Sequence, residues 1–470
     1  MSLSALDKKL NSKKLNRSKL FSFAFLVTLA GIMVWRSPDL LLAPRFWAEE
    51  GSVYFEFAYE HSFIEALYFV DWRAGYLNLI ASFTSAIAAN ATPLEYAPFV
   101  TTYVSFIVQF VPFLIIFYGK SKVFRGIWKK IAGCLIILLT PTVIGEVWLN
   151  TINLQIYFGL IAVLILLENL EAVPRARRWV YRFLLALGGM SGVYVVFLQP
   201  IFVFKAFIER NKERYIQLTI VTLVLFLQFG LFIASNFQKK LTEKKSLEDI
   251  GLHNIGETLY YQLTLPILGK EFTTTTIKDI LMGEFPYTPL ISMFLSLLLG
   301  VIFIILLSKA RGGILLSKAR GGISFSDSRI TLVLAWFVLA IATNLGSLNN
   351  AAGGRYAVLS GFVLLFLILD NIRLNQRPLI SMALVVILGM SMYSGLLYYR
   401  NYSHYNRLLC DGNNWEQEIK KWRQDPNHEI PICPEPSWEI RLTPNAVREK
   451  ISSSEKVDNL HYLWSDNENN

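Results

Sequence analysis

The sequence predicts an all-α polytopic membrane protein, and three observations carry that reading. Only 17% of its 470 residues are charged; a soluble domain needs about 25% to keep its surface hydrated. Uncharged apolar stretches of roughly twenty residues recur, the length a helix needs to cross the hydrocarbon layer. Between those stretches the 45 Lys and Arg are bunched into short segments, as expected for loops that set orientation.

The first crossing falls at 20–35, behind a basic segment 1–19 that holds Lys8, Lys9, Lys13, Lys14, Arg17 and Lys19. A signal peptide would end in small residues, but Arg36-Ser37-Pro38-Asp39 follows. The span is therefore expected to be retained, with the basic segment in the cytoplasm. Further crossings are expected near 96–118, 131–148, 154–167, 180–190, 194–208, 216–234, 287–307, 330–346, 356–370 and 378–398. That makes about eleven transmembrane helices in a bundle over 20–398. The stretch 74–91 is also apolar, but Ser82, Thr84, Ser85 and Asn90 soften it. Counting it as a crossing would move Lys120, Lys122, Arg125, Lys129 and Lys130 outside, so it reads as a juxtamembrane helix within the first outer loop, 43–95.

With that choice the inward segments hold 26 of the 45 basic residues, which explains the net charge of +10 as a topology signal and removes nucleic acid as a partner. A polar outer loop is expected at 235–285 and a small extracytoplasmic tail at 399–470. Cys410 and Cys433 lie in that tail, where disulfides persist. A bond between them would add roughly 3 kcal/mol, and two free thiols are the alternative. Cys134 reads as a small core residue. The nine residues LLSKARGGI at 306–314 recur at 315–323, too short a unit for a solenoid, and are read as a neutral duplication in a cytoplasmic loop. The chain has no Cys-x2-Cys pair, no His-Glu-x-x-His and no Gly-x4-Gly-Lys loop, so zinc-motif and P-loop chemistry have no foothold.

Polar residues gather at four places that the topology puts on one outer face. The first is Arg45-Phe46-Trp47-Ala48-Glu49-Glu50-Gly51. Adjacent carboxylates repel, which raises at least one pKa and suits a general base or a cation ligand; acids at a helix N-terminus are the simpler account. The pair could hold a divalent cation, although no ligand set is complete in the sequence. The second is Asp71-Trp72-Arg73. The Arg73 guanidinium matches a lipid phosphate, or snorkels at the interface. The third, Glu146 with Asn150, Asn153 and Gln155, crowds an acid and three amides into one turn. Helix capping uses part of this set; the remainder suits sugar hydroxyls, and polar clusters at membrane depth are usually functional. The fourth is Gly353-Gly354-Arg355-Tyr356, whose arginine suits a phosphate or carboxylate ligand, or an ion pair with Glu146.

This ensemble resembles bacterial membrane glycosyltransferases of the GT-C fold, especially the GtrII-like branch, over about 400 residues of architecture. The acidic motif of that family, often Ala-Glu-Asp-Gly in the first extracytoplasmic loop, is matched by Ala48-Glu49-Glu50-Gly51. Asn150 to Gln155 match its Asn-rich turn, and Arg355-Tyr356 match its late Arg-Tyr. The second acid departs from the pattern by being Glu, so either Glu49 or Glu50 could be the catalytic one, the first being usual. The resemblance implies an enzyme, a hexosyltransferase of the cytoplasmic membrane. It would move sugar from a polyprenyl-phosphate donor to an envelope glycan or lipid acceptor, with Arg45, Arg73, Glu146, Asn150, Asn153, Gln155, Arg355 and Tyr356 binding substrate. A flippase of lipid-linked sugars, or a lipid-linked polysaccharide ligase or polymerase, would meet the same substrates. Transporters are commonly built from repeats around a mid-membrane site. This sequence has no repeat between its halves, and its polar residues lie at one face.

Overall fold

A computed structural model describes residues 3–142, 145–239, 252–270, 273, 328–346, 354–374, 376, 378–400, 414–434 and 438–444. The described chain is mostly helical, and four of its helices are long and apolar enough to cross a membrane: Leu94–Tyr118, Lys212–Ser235, Gly354–Asn371 and Pro378–Leu397. Shorter apolar helices stand among them, including Leu20–Arg36, Leu154–Leu166 and Ser328–Thr343.

Helix α1 (Leu3–Arg36) runs without a break from the basic segment into the first apolar stretch. After α2 (Pro38–Leu42) comes a π-helix, Glu50–Phe55, then α3 (Glu56–Glu60) and α4 (Phe63–Leu67). A capping box between Ser62 and Glu65 starts α4 by satisfying donors that the helix leaves over. Next is α5 (Leu79–Asn90), an apolar helix of 12 residues. Its Ser82, Thr84 and Ser85 are buried against neighbouring helices.

The core is built on two helices, α8 (Leu154–Leu166) and α15 (Ala357–Asn371). Nearly every residue of each is buried, the signature of a helix surrounded on all sides. They meet at Gly159, where a Cβ would come within 2.5 Å of Leu359; a small residue here lets the backbones approach. Around them lie α6 (Ala97–Tyr118), α7 (Ile127–Leu139), α9 (Arg175–Met190), α10 (Tyr194–Phe197), α11 (Gln199–Glu209), α12 (Lys212–Lys239), α13 (Leu252–Leu268), α14 (Ser328–Gly346) and α16 (Pro378–Leu397).

Several expected crossings take a different form. The stretch 131–148 is helical only to Leu139, because Pro141 disfavours helix in the residue before it; the chain then passes through a short 3-10 turn, Gly145–Val147. The stretch 194–208 is broken into α10 and α11 at Leu198, just ahead of Pro200. The largest departure is α13, in what reads as a polar outer loop at 235–285. It packs against α14, α15 and α16, and its buried Thr258, Gln262 and Thr264 lower its apparent hydropathy. The expected crossing 287–307 and the duplication lie outside the described residues.

The tail does form a small structured unit. Helix α17 (Trp415–Gln424) and a two-stranded hairpin, β1 (Ile430–Pro431) and β2 (Glu439–Ile440), share one apolar core with the first loop: Phe46, Phe55 and Tyr59 against Trp415, Ile419, Trp422, Ile430 and Ile440. Backbone bonds lock the two segments together, since Cys433 N–H donates to Phe46 O at 3.1 Å and Ala48 N–H donates to Cys433 O at 2.5 Å. Cys433 is disulfide-bonded and Cys134 is free and buried; Cys410 lies outside the described residues.

Candidate functional site

Where the first loop, the tail and the N-terminal end of α8 meet, the protein forms a partly open cavity of about 730 Å³. Its walls come from parts of the chain far apart in sequence: Glu49, Asp71, Arg73 and Tyr76 from the first loop, Asn153 from the turn before α8 and Gln155 from the first turn of α8, Tyr194 from α10, Arg355 and Tyr356, and Trp438 and Glu439 from the hairpin.

The acidic pair divides between two environments. Glu49 is half-buried and lines the cavity, whereas Glu50 is buried in the wall behind it. One Glu50 oxygen accepts from Thr151 N–H at 2.7 Å and Thr151 Oγ1–H at 2.6 Å; the other accepts from Trp47 N–H at 3.2 Å. Glu50 thus ties the first loop to the Asn-rich turn. Burial pushes its pKa up to about 7, against the lowering effect of those hydrogen bonds. With both oxygens engaged, Glu50 is poorly placed to share a cation with Glu49. Among the described residues no group of three or more His, Cys, Asp or Glu side chains could hold a metal ion.

Both acidic and amide motifs are preceded by backbone that L-residues rarely adopt. Ala48 has φ +45° and Leu149 has φ +55°, left-handed conformations whose cost must be offset by the contacts around them. Here those contacts are the Ala48–Cys433 bond and the Glu50–Thr151 bonds.

Glu146 accepts from Arg355 Nη1–H at 2.7 Å, and its backbone oxygen accepts from the side chains of Asn150 and Asn153 at 2.7 and 2.8 Å. Asn150 Oδ1 in turn accepts from Asn153 N–H at 3.1 Å. Asn150 therefore acts behind the cavity, holding Asn153 at its edge. Gln155 bridges two walls, donating to Tyr76 OH at 3.2 Å and accepting from Val193 N–H at 3.3 Å. The Arg355 guanidinium also sits 5.3 Å from the Tyr356 ring centre, a cation–π distance, and Tyr356 O accepts from Gln262 of α13 at 3.2 Å.

Arg73 stands at the rim with a largely exposed side chain, 3.4 Å from Asp71. Arg45 lies elsewhere: it is buried away from the cavity walls, donating to Pro431 O of the hairpin. Sequence reasoning groups it with the site because it neighbours the acids, yet its role in the structure is to hold the tail. Reading by sequence leaves Trp438, Glu439, Tyr54 and Tyr194 out of the site: Trp438, Glu439 and Tyr194 are far from Glu49 in the chain, and Tyr54 is read as part of an amphipathic helix. Burial raises the Tyr54 and Tyr76 phenols above their ordinary range, so both remain neutral.

No family model, curated protein or solved structure matches this chain.

The cavity mixes two kinds of lining. Ile156, Val193, Tyr194 and Phe197 come from the bundle and offer apolar surface, while Glu49, Asp71, Arg73, Arg355 and Glu439 bring charge of both signs. Such a space suits a ligand that is part hydrocarbon and part polar. Three carboxylates, Glu49, Asp71 and Glu439, line the space with two guanidinium groups, Arg73 paired with Asp71 and Arg355 paired with Glu146; these are the groups for proton transfer and anion binding.

Proposed function

We propose that this chain is a multi-pass glycosyltransferase of the cytoplasmic membrane, transferring a sugar from a polyprenyl-phosphate donor to an envelope acceptor on the outer face. The observation that carries the reading is the convergence of Glu49, Arg73 and Arg355 on one cavity that also has an apolar wall from the bundle, Ile156, Val193 and Phe197. In this reading the N-terminus is cytoplasmic, the bundle makes about eleven crossings, and the tail is extracytoplasmic. The packing of the tail on the first loop supports the last point, because the two must share a side. The disulfide at Cys433 supports it as well, since such bonds persist in oxidising compartments.

The reaction follows from the groups present. The acceptor hydroxyl loses its proton to the Glu49 carboxylate as its oxygen attacks the anomeric carbon. The bond from that carbon to the phosphate oxygen breaks, and the electron pair leaves with the lipid phosphate. Arg73, with Arg355 deeper in, stabilises the negative charge that develops there. Asn153 and Gln155 bind sugar hydroxyls, Gln155 being held in place by Tyr76 and Val193. Glu50, Asn150 and Glu146 fix the geometry of these groups, and Arg45 anchors the tail.

The test is sugar transfer from a polyprenyl-phosphate sugar by membranes holding the full chain, compared with Glu49→Gln. The reading expects a loss of roughly 10²–10⁴-fold with expression unchanged. A variant that transfers at the normal rate, or a wild-type chain that translocates lipid-sugar without cleaving it, would overturn it.

A further inference from the structure

The hairpin supplies the cavity with an aromatic ring and a carboxylate, Trp438 and Glu439. Neither is an isolated surface residue. Trp438 is partly buried, touching the apolar core shared by tail and first loop and the smaller cluster around Trp47 and Tyr54. Its backbone is linked to the acidic motif by a short run of hydrogen bonds. Trp438 O accepts from Ile432 N–H at 3.0 Å; the next residue, Cys433, bonds to Phe46 and Ala48; and Glu49 follows Ala48. The hairpin register therefore sets the position of Trp438 relative to Glu49 through backbone alone, the kind of support that holds a binding group within fractions of an ångström.

We propose that the hairpin is a carbohydrate subsite for the acceptor, an inference that rests on the transferase reading above. A pyranose has an apolar face of C–H groups and a rim of hydroxyls. Trp438 provides a flat, polarisable surface for the first. Glu439 from the hairpin, one oxygen of which accepts from Arg441 at 2.7 Å, and Asp71 from the first loop, one oxygen of which accepts from Arg73 N–H at 2.9 Å, offer their other carboxylate oxygen to the second. The bundle-derived wall of Ile156, Val193 and Phe197 is left to the lipid-borne donor. The acceptor hydroxyl is thereby brought towards Glu49 from the side of the tail.

The experiment uses the full chain in lipid nanodiscs and saturation-transfer NMR with the methyl glycosides of glucose, galactose and N-acetylglucosamine as probes. Wild type should transfer saturation to the ring protons of at least one glycoside. Trp438→Phe should retain the effect, while Trp438→Leu, which fills space without a ring, should weaken binding roughly tenfold. Thermal melting of each variant establishes that it is folded; if Trp438→Leu is not, Glu439→Gln takes its place and should weaken binding severalfold. Binding equal to wild type in the folded variant, or no binding of any glycoside to wild type, overturns the subsite. The two readings fail separately. Ring-dependent binding with no sugar transfer from a lipid donor would sink the transferase and leave the subsite. Transfer that depends on Glu49 but whose acceptor KM ignores Trp438→Leu would do the reverse.

Discussion

Glu146 and Arg355 are 209 residues apart in the chain, and their charged groups meet at 2.7 Å. The pair joins the turn before α8 to the start of α15, the two helices at the centre of the bundle. Each side chain is a little over a quarter exposed, at 27% and 29%, so water screens the attraction and part of the desolvation cost is avoided. A double-mutant cycle with Glu146→Ala and Arg355→Ala, read by thermal melting in detergent, should give a coupling of about 1 kcal/mol. Strict additivity would mean that the contact contributes nothing to holding the turn.

Glu49 and Glu50 are adjacent, and their environments make opposite predictions for the same substitution. Glu49→Gln should leave the melting temperature within a degree or two of wild type while lowering transfer by orders of magnitude, since the side chain is half-buried and lines the cavity. Glu50→Gln should do the converse in part. An amide nitrogen must face either Thr151 or the Trp47 N–H, leaving donor against donor in a buried position, at a cost of about 1–3 kcal/mol. If Glu50→Gln melts like wild type and Glu49→Gln is unfolded, the two roles have been exchanged.

What could be read from the sequence follows from what the membrane penalises. Arg355, Glu146, Asn153 and Gln155 stand out because polar groups beside apolar stretches need a reason, and the structure gathers them around one cavity. Helix α13 is hidden for the same reason inverted. Its buried Gln262 and Thr264 read as loop chemistry until their partners are seen, Gln262 bonding to Tyr356 O and Thr264 to Tyr260 O. Trp438 and Glu439 could not be found at all, because their neighbour Glu49 is almost 400 residues away and only the strand register connects them. Arg45 shows the reverse case: it is next to the acids in sequence, yet it is buried off the cavity walls and donates to Pro431 O.

Sidedness can be measured directly. Lys122 lies between α6 and α7, and Lys420 lies on α17 of the tail; both are exposed. If the basic segments face the cytoplasm, an impermeant maleimide applied to intact cells should label Lys420→Cys and leave Lys122→Cys unlabelled until the membrane is opened. Labelling of Lys122→Cys alone in intact cells would place the cavity in the cytoplasm and remove the outer-face assignment.

Glu50 also makes stability depend on pH in a direction opposite to that of a salt-bridged acid. Its pKa rises from an unfolded value of 4.5 to about 7, because burial penalises the charged carboxylate more than Thr151 and Trp47 stabilise it. The folded state therefore holds the proton where the unfolded chain has already released it. The resulting stabilisation is fully present below pH 4.5 and is lost as the pH rises through about 7. The stability lost across that window is about 3 kcal/mol. Between about pH 4.5 and 7 stability should fall with a slope approaching one proton per molecule beyond that of the remaining groups, and this component should flatten above pH 7; Glu50→Gln, which cannot ionise, should remove it. Because Glu50 joins the first loop to the turn carrying Asn153, its ionisation should loosen the wall beside Glu49 before the bundle itself unfolds. Hydrogen exchange at the Thr151 amide should accordingly accelerate from pH 6 to pH 8 by more than the intrinsic base-catalysed increase. Equal pH slopes for wild type and Glu50→Gln would show that this carboxyl is ionised throughout the range and that the loop is fixed by other contacts.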